Sequence, residues 1–142
     1  MPGKVFLDTN VLVYAFDRSD PARHAAARNL VATLLDERRG VLSVQVLKEF
    51  YVVATRRAAE PADHATACRI INELRTFDVV EEGLAELDTA LLLVAKYRIS
   101  LWDALIVAAA RSGGCTEICT EDLQDGQTIE GVTVRNPFLR RV

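Results

Sequence analysis

Short unbroken apolar runs alternate with longer stretches of helical spacing along this chain. Val5-Phe6-Leu7 is too short and too apolar for a surface helix and reads, with Asp8, as a buried strand. A short helix is expected over residues 11–16. Asp20 then Pro21 is an N-cap followed by a first-turn proline, predicting a long helix to about Arg39 that stops at Gly40. Residues 41–43 read as a second strand. A helix from Ser43 or Val44 to near Arg57 follows, then another from Pro61 to near Thr76. Residues 77–81 are a third strand. Helices over 85–97 and 101–112 are split at Arg98-Ile99-Ser100, and Gly113-Gly114 ends the second. Strands at 117–119 and 132–134 complete the pattern. Alternating strands and helices predict an α/β domain with a mostly parallel sheet. Ligands of such sheets bind beyond the carboxyl ends of the strands.

The chain's 142 residues suit a single domain, 1–142, and half of them are hydrophobic, enough for a full core. A charged fraction of 26% excludes a disordered chain. No run approaches the roughly 20 apolar residues of a membrane span. Met1-Pro2-Gly3-Lys4 leads straight into a strand, so no signal peptide is expected and the setting is cytoplasmic. Cys68, Cys115 and Cys119 make an odd count, a poor disulfide framework, and are expected to be small buried thiols. The net charge of −3 disfavours coating of nucleic acid by charge alone. Two divalent ions on the acids would reverse its sign, so a nucleic-acid substrate stays open.

Four acids occupy costly or pivotal places. Asp8 ends the first apolar run. Asp103 is the only charge between Arg98 and Arg111, in a helix that reads as apolar all round and therefore buried. Glu49 has Gln45, Val46, Val52 and Val53 three and four positions away, so it points inward, while Lys48 faces another direction. Asp122 follows a strand in Thr120-Glu121-Asp122-Leu123; Glu121 competes with it, and Asp125, before Gly126, reads as a turn residue with a possible supporting role. Simpler roles exist for each. Asp8 can be a helix N-cap, Glu49 a boundary residue reaching water, and Asp103 the last residue of a capping box begun by Ser100. No Lys or Arg is spaced to pair locally with Asp8 or Asp103, which leaves a bound cation as the explanation that covers both. His24 and His64 sit on solvated helix faces, away from the acids, so a Ser/His/Asp or Cys/His site is unsupported. There is no glycine-rich phosphate loop.

Val5-Phe6-Leu7-Asp8-Thr9-Asn10-Val11-Leu12-Val13-Tyr14, Leu47-Lys48-Glu49-Phe50, Leu101 to Ala110 with Asp103, and Thr120-Glu121-Asp122-Leu123 resemble, in that order, the PIN-domain family and within it the VapC-type toxins. The Asn136-Pro137-Phe138 ending is similar to one branch, and Trp102 is a small variation. The resemblance implies a three-layer α/β/α fold and metal-dependent RNA cleavage leaving a 5′-phosphate and a 3′-hydroxyl. It implies an acidic pocket of Asp8, Glu49, Asp103 and Asp122, with Thr120 and Asn10 as polar helpers. It also implies a homodimer and an antitoxin partner.

Carboxylates suit Mg²⁺ or Mn²⁺, one or two ions per site. Asp8 and Asp103 are expected to bind most directly, Asp122 to complete the set and Glu49 to act through water. Arg56 and Arg57 are candidates for gripping RNA phosphates, as are Arg23, Arg28, Arg135, Arg140 and Arg141. Two rivals stand beside this reading. One is a phosphatase with Asp8 as nucleophile, in which Asn10 would replace the second acid. The other is a binding module without catalysis.

Overall fold

In the computed structural model, which describes residues 2–139, the elements run β1 (Lys4–Leu7), α1 (Thr9–Phe16), α2 (Pro21–Glu37), β2 (Gly40–Ser43), α3 (Val44–Arg56), α4 (His64–Leu74), β3 (Asp78–Val80), α5 (Leu84–Tyr97), α6 (Leu101–Ser112), β4 (Cys115–Cys119), β5 (Thr128–Ile129) and β6 (Val132–Arg135). The strands form one sheet in the order β3-β2-β1-β4-β6-β5. All neighbours are parallel except β5 and β6. From β1 the chain steps outward to β2 and β3 in one direction, then returns past β1 to β4. Right-handed crossovers therefore place α1 to α4 on one face of the sheet and α5 with α6 on the other. Helix contacts agree: α1 packs on α2 and α3, α3 on α4, and α5 on α6, which lies against β4.

Local chemistry accounts for the helix ends. Asp20 accepts the Arg23 N–H, Ser43 that of Val46, Asp63 that of Thr66 and Ser100 that of Asp103. The Gly83 N–H donates to Glu86 at the start of α5. Arg38 and Arg98 close α2 and α5 in the left-handed region, with φ of 56° and 55°.

Several elements differ from expectation, α1 and β4 by starting two residues early, at Thr9 and Cys115. The long helix stops at Arg38 rather than Gly40, which opens β2 instead because a Cβ there would collide with the Phe77 ring. The fourth helix begins at His64, capped by Asp63, and not at Pro61. The strand β5 was not expected. It forms a hairpin with β6 through Glu130-Gly131, both at positive φ.

The core runs through Phe6, Leu7, Val11, Leu12, Val41, Leu42, Phe50, Val107 and Ile118. Cys115 and Cys119 are buried in it, and burial pushes the Cys115 thiol up to about 12. Cys68 is only half-buried, beside the exposed His64. His24 is not free on a solvated face: it is half-buried and its Nδ1 donates to the Tyr14 carbonyl. No helix among the described residues is long and apolar enough to cross a membrane.

Candidate functional site

The direction of strand connection reverses between β1 and β4, which opens a crevice beyond their carboxyl ends. Asp8 stands there. Its backbone N–H donates to Cys119 O at 3.1 Å, so the β1–β4 ladder carries the residue to the lip of the sheet. Its side chain caps α1 by accepting the Thr9 N–H at 2.7 Å, and its other oxygen accepts the Thr120 hydroxyl at 2.8 Å. The capping role and a site role thus coexist in one carboxylate.

Asp8 is 6% exposed. Burial pushes its pKa up to about 6, against the opposing hydrogen bonds from Thr120 and Thr9, and the nearby Asp122 and Glu49 raise it further. No cation neutralises it among the ion pairs of the described residues.

The other acids surround it unevenly. Glu49 lies in the second turn of α3, half-buried, and both its oxygens are held: Oε2 by the Thr9 hydroxyl at 2.8 Å and Oε1 by the Gln45 amide at 3.1 Å. Asp122 is exposed, and its N–H donates to Thr120 Oγ1 at 3.0 Å. Thr120 therefore ties two acids together through one hydroxyl. Asp8, Glu49 and Asp122 line a crevice of about 490 Å³ with Thr9, Asn10, Lys48, Val52, Val53, Arg57 and Trp102.

Asp103 is not on that wall, although its neighbour Trp102 is. It is half-buried rather than fully enclosed: the first fully buried residue of α6 is Ala104. Burial nonetheless raises its pKa, with the Ser100 hydrogen bond opposing and Asp122 and Glu49 adding to the rise. Each of Asp8 and Asp103 feels the same two acids.

The donor set is all oxygen, the kind that hard divalent cations take. Among the described residues no three Asp, Glu, His or Cys side chains stand close enough to close on one ion. Like charges hold one another apart, and Glu49 is already held by its two donors. The arrangement fits an ion held by one or two carboxylates with water completing the shell, the way Mg²⁺ is commonly bound.

Several charges fall elsewhere than expected. Lys48 shares the crevice with Glu49 instead of facing away, and Val52, one turn on, lines the same wall. Arg57 lines it; Arg56, although exposed, does not. Arg23 is committed to Asp20 and Glu121 and stacks over Tyr14 and Phe138, which also removes Glu121 from the competition for a cation. Arg28 borders a separate hollow with Phe16 and Leu35. Arg135 pairs with Glu117. Arg140 and Arg141 lie outside the described residues. Asp125 accepts the Asn136 N–H at 2.8 Å, a bond that joins its turn to the end of β6. Thr9, Gln45, Lys48 and Trp102 were missed as site residues. Only Thr9, wedged between Asp8 and Asn10, carried a signal in the sequence.

Thr120→Val is expected to lower stability at neutral pH by about 1–3 kcal/mol, since the buried Asp8 carboxylate loses a donor and the Asp122 N–H an acceptor. Urea unfolding at pH 7 checks this, and an unchanged midpoint would mean that the Thr120 hydroxyl holds neither group.

Comparisons with known proteins place the chain in a family. A family model described as PIN domain matches residues 5–124. Ribonuclease VapC7 of Mycobacterium tuberculosis (strain ATCC 25618 / H37Rv) is 31% identical over 121 residues, covering 83% of this chain and 81% of that protein. Among solved structures, Mycobacterium tuberculosis VapC20, described as a Sarcin-Ricin loop cleaving toxin, superposes with a TM-score of 0.65 at 21% identity over 81% of this chain and 87% of its own. A toxin-antitoxin complex from Klebsiella pneumoniae gives a TM-score of 0.67 at 22% identity over 94% and 98%. FitAB bound to an IR36 DNA fragment gives 0.69 at 19% identity over 97% and 98%. At these identities the structural likenesses speak to the fold.

Proposed function

We propose that this chain, which belongs to the PIN-domain family, is a cytoplasmic Mg²⁺- or Mn²⁺-dependent endoribonuclease acting as the toxin of a toxin–antitoxin pair. The observation that carries the reading is Asp8: a buried carboxylate with no cationic partner among the described residues, at the point where strand order reverses, lining an open crevice with further acids. The likeness to a ribonuclease over most of both chains supports RNA as substrate. Resemblance to toxins also supports a homodimer and a cognate antitoxin.

The residues divide the work. Asp8 and Asp122 on the wall, with Asp103 at its edge, are the groups that would hold one or two ions. A divalent ion there supplies charge neutralisation at the phosphate and makes water a competent nucleophile at neutral pH. Thr120 and the Thr9 N–H orient the two oxygens of Asp8, so the carboxylate is preorganised. Glu49, held by Thr9 and Gln45, faces the crevice as the group able to orient water or take its proton. Lys48 and Arg57 grip the phosphates on either side, and Asn10 offers a further hydrogen-bonding group on the wall. A phosphatase mechanism lacks its acid, because the residue two beyond Asp8 is Asn10.

Single-stranded RNA incubated with Mg²⁺, Mn²⁺ or chelator tests the reading. Wild type is expected to cut only with metal, leaving 5′-phosphate ends. Asp103→Asn should lose more than about 10- to 100-fold, the loss typical when even a residue that only supports a metal ligand is removed. Cleavage that persists in chelator, or that is untouched by Asp103→Asn, would rule the mechanism out.

A further inference from the structure

Trp102 is the chain's single tryptophan and is 64% exposed, yet it stands on the wall of the acidic crevice. Ser100 caps the first turn of α6 by accepting the Asp103 N–H at 3.0 Å, which places the indole one residue before an acid of the site. A large aromatic ring left in water contributes little to the core. Two cations, Lys48 and Arg57, line the same crevice, and the ion pairs among the described residues engage other side chains. A protein-docking surface would surround such a ring with apolar side chains. Here Val52 and Val53 share the crevice with the ring, but so do the carboxylates of Asp8, Glu49 and Asp122 and the cations Lys48 and Arg57, so charges of both signs stand on the same wall.

That combination is what a single nucleic-acid strand needs. Aromatic faces stack unpaired bases with little regard for sequence, while Lys and Arg follow the backbone. A base inside a duplex has no free face, whereas loops and single strands do. We propose that Trp102 is a positioning residue that stacks one unpaired nucleobase of an RNA strand beside the phosphate to be cut, with Lys48 and Arg57 on the flanking phosphates. The inference rests on the ribonuclease reading and assigns one side chain, Trp102, to holding the substrate in it.

All tryptophan emission of this protein comes from Trp102, so stacking is read directly. Asp8→Asn protein in Mg²⁺ would be titrated with a ten-nucleotide single-stranded RNA and with the same sugar–phosphate strand lacking its bases. The base-bearing strand is expected to quench the emission, and the abasic strand to leave it unchanged. In the otherwise wild-type enzyme, Trp102→Ala should raise KM for the RNA about 5- to 150-fold with kcat nearly kept, and Trp102→Phe should restore most of the loss. The inference is overturned by an equal emission change from the abasic strand, by a base-bearing strand that leaves emission unchanged, or by an unchanged KM in Trp102→Ala. Loss of a dimer in Trp102→Ala, seen by gel filtration with KM kept, would assign the ring to a protein contact instead. Failure of the ribonuclease reading shows separately, as wild-type protein that cuts no RNA in Mg²⁺ or Mn²⁺.

Discussion

Asp8→Asn is expected to abolish RNA cleavage and, in chelator, to make the protein more stable than wild type. The two effects share one cause. Burial raises the Asp8 pKa from 3.8 to about 6 in the folded chain, so the folded state keeps a proton there that the unfolded chain has given up. Between those two values the native state binds more protons than the unfolded state. Stability of the metal-free wild type therefore falls as pH rises from about 4 to about 6, and the full penalty, about 3 kcal/mol, is present at pH 7. An amide at position 8 carries no charge and escapes it. It can still accept the Thr9 N–H and meet the Thr120 hydroxyl, so most of the gain should survive.

A rise in melting temperature of several degrees at pH 7 follows for a chain of this length, since 1 kcal/mol corresponds to about 3–4 °C. The difference should shrink as pH falls toward about 4. Added Mg²⁺ or Mn²⁺ should stabilise the wild type clearly more than the variant, because the variant lacks the buried carboxylate among those proposed to hold the ion. Cleavage should fall by about 10³-fold or more, the rate equivalent of losing about 4 kcal/mol of transition-state stabilisation from a misplaced ion. Thermal melts in chelator at pH 4.5 and pH 7, beside RNA cleavage in Mg²⁺, check both halves. A lower melting temperature for Asp8→Asn at pH 7 would show that the carboxylate is needed for the fold and is not a strained group awaiting a cation.

Phe50→Ala is expected to be the most destabilising single change near the site, costing about 3–5 kcal/mol. Phe50 is 0% exposed and packs edge-on against Phe16, with ring centroids 5.8 Å apart, so its ring joins α3 to α1. Those two helices carry Glu49 and Thr9, which meet in a hydrogen bond. Removing the ring leaves a cavity under that contact. The melting temperature should fall by about 10–20 °C, and cleavage should fall with it even at temperatures where the variant is folded. Leu92→Ala, at an exposed position on α5, should change stability by no more than about 0.5 kcal/mol and serves as the comparison. Equal melting temperatures for the two variants would mean that the α1–α3 junction does not depend on the Phe50 ring.

Much of this molecule was legible along the chain because the forces concerned act over a few residues. Apolar runs marked β1 and β2. The caps Asp20, Ser43 and Ser100 reach only three residues ahead, so their helices announce themselves. Asp8 stood out because a charge closing an apolar run must answer for its burial. β5 escaped notice because it is two residues long and its Glu130-Gly131 turn lacks the usual Asn-Gly or Asp-Gly signature.

What the chain alone could not decide depends on how each helix is rotated about its own axis, which only packing against the sheet determines. That rotation turns Lys48 into the crevice, brings Thr9 to Glu49 across 40 positions and commits Arg23 to Glu121 across 98. It also leaves Trp102 in water, although its helix reads as apolar all round. The sequence determined which residues could carry charge chemistry and which local elements hold them. The tertiary structure decided which of those charges are paired away and which remain to face a substrate, because a partner far along the chain is chosen by the fold and not by spacing.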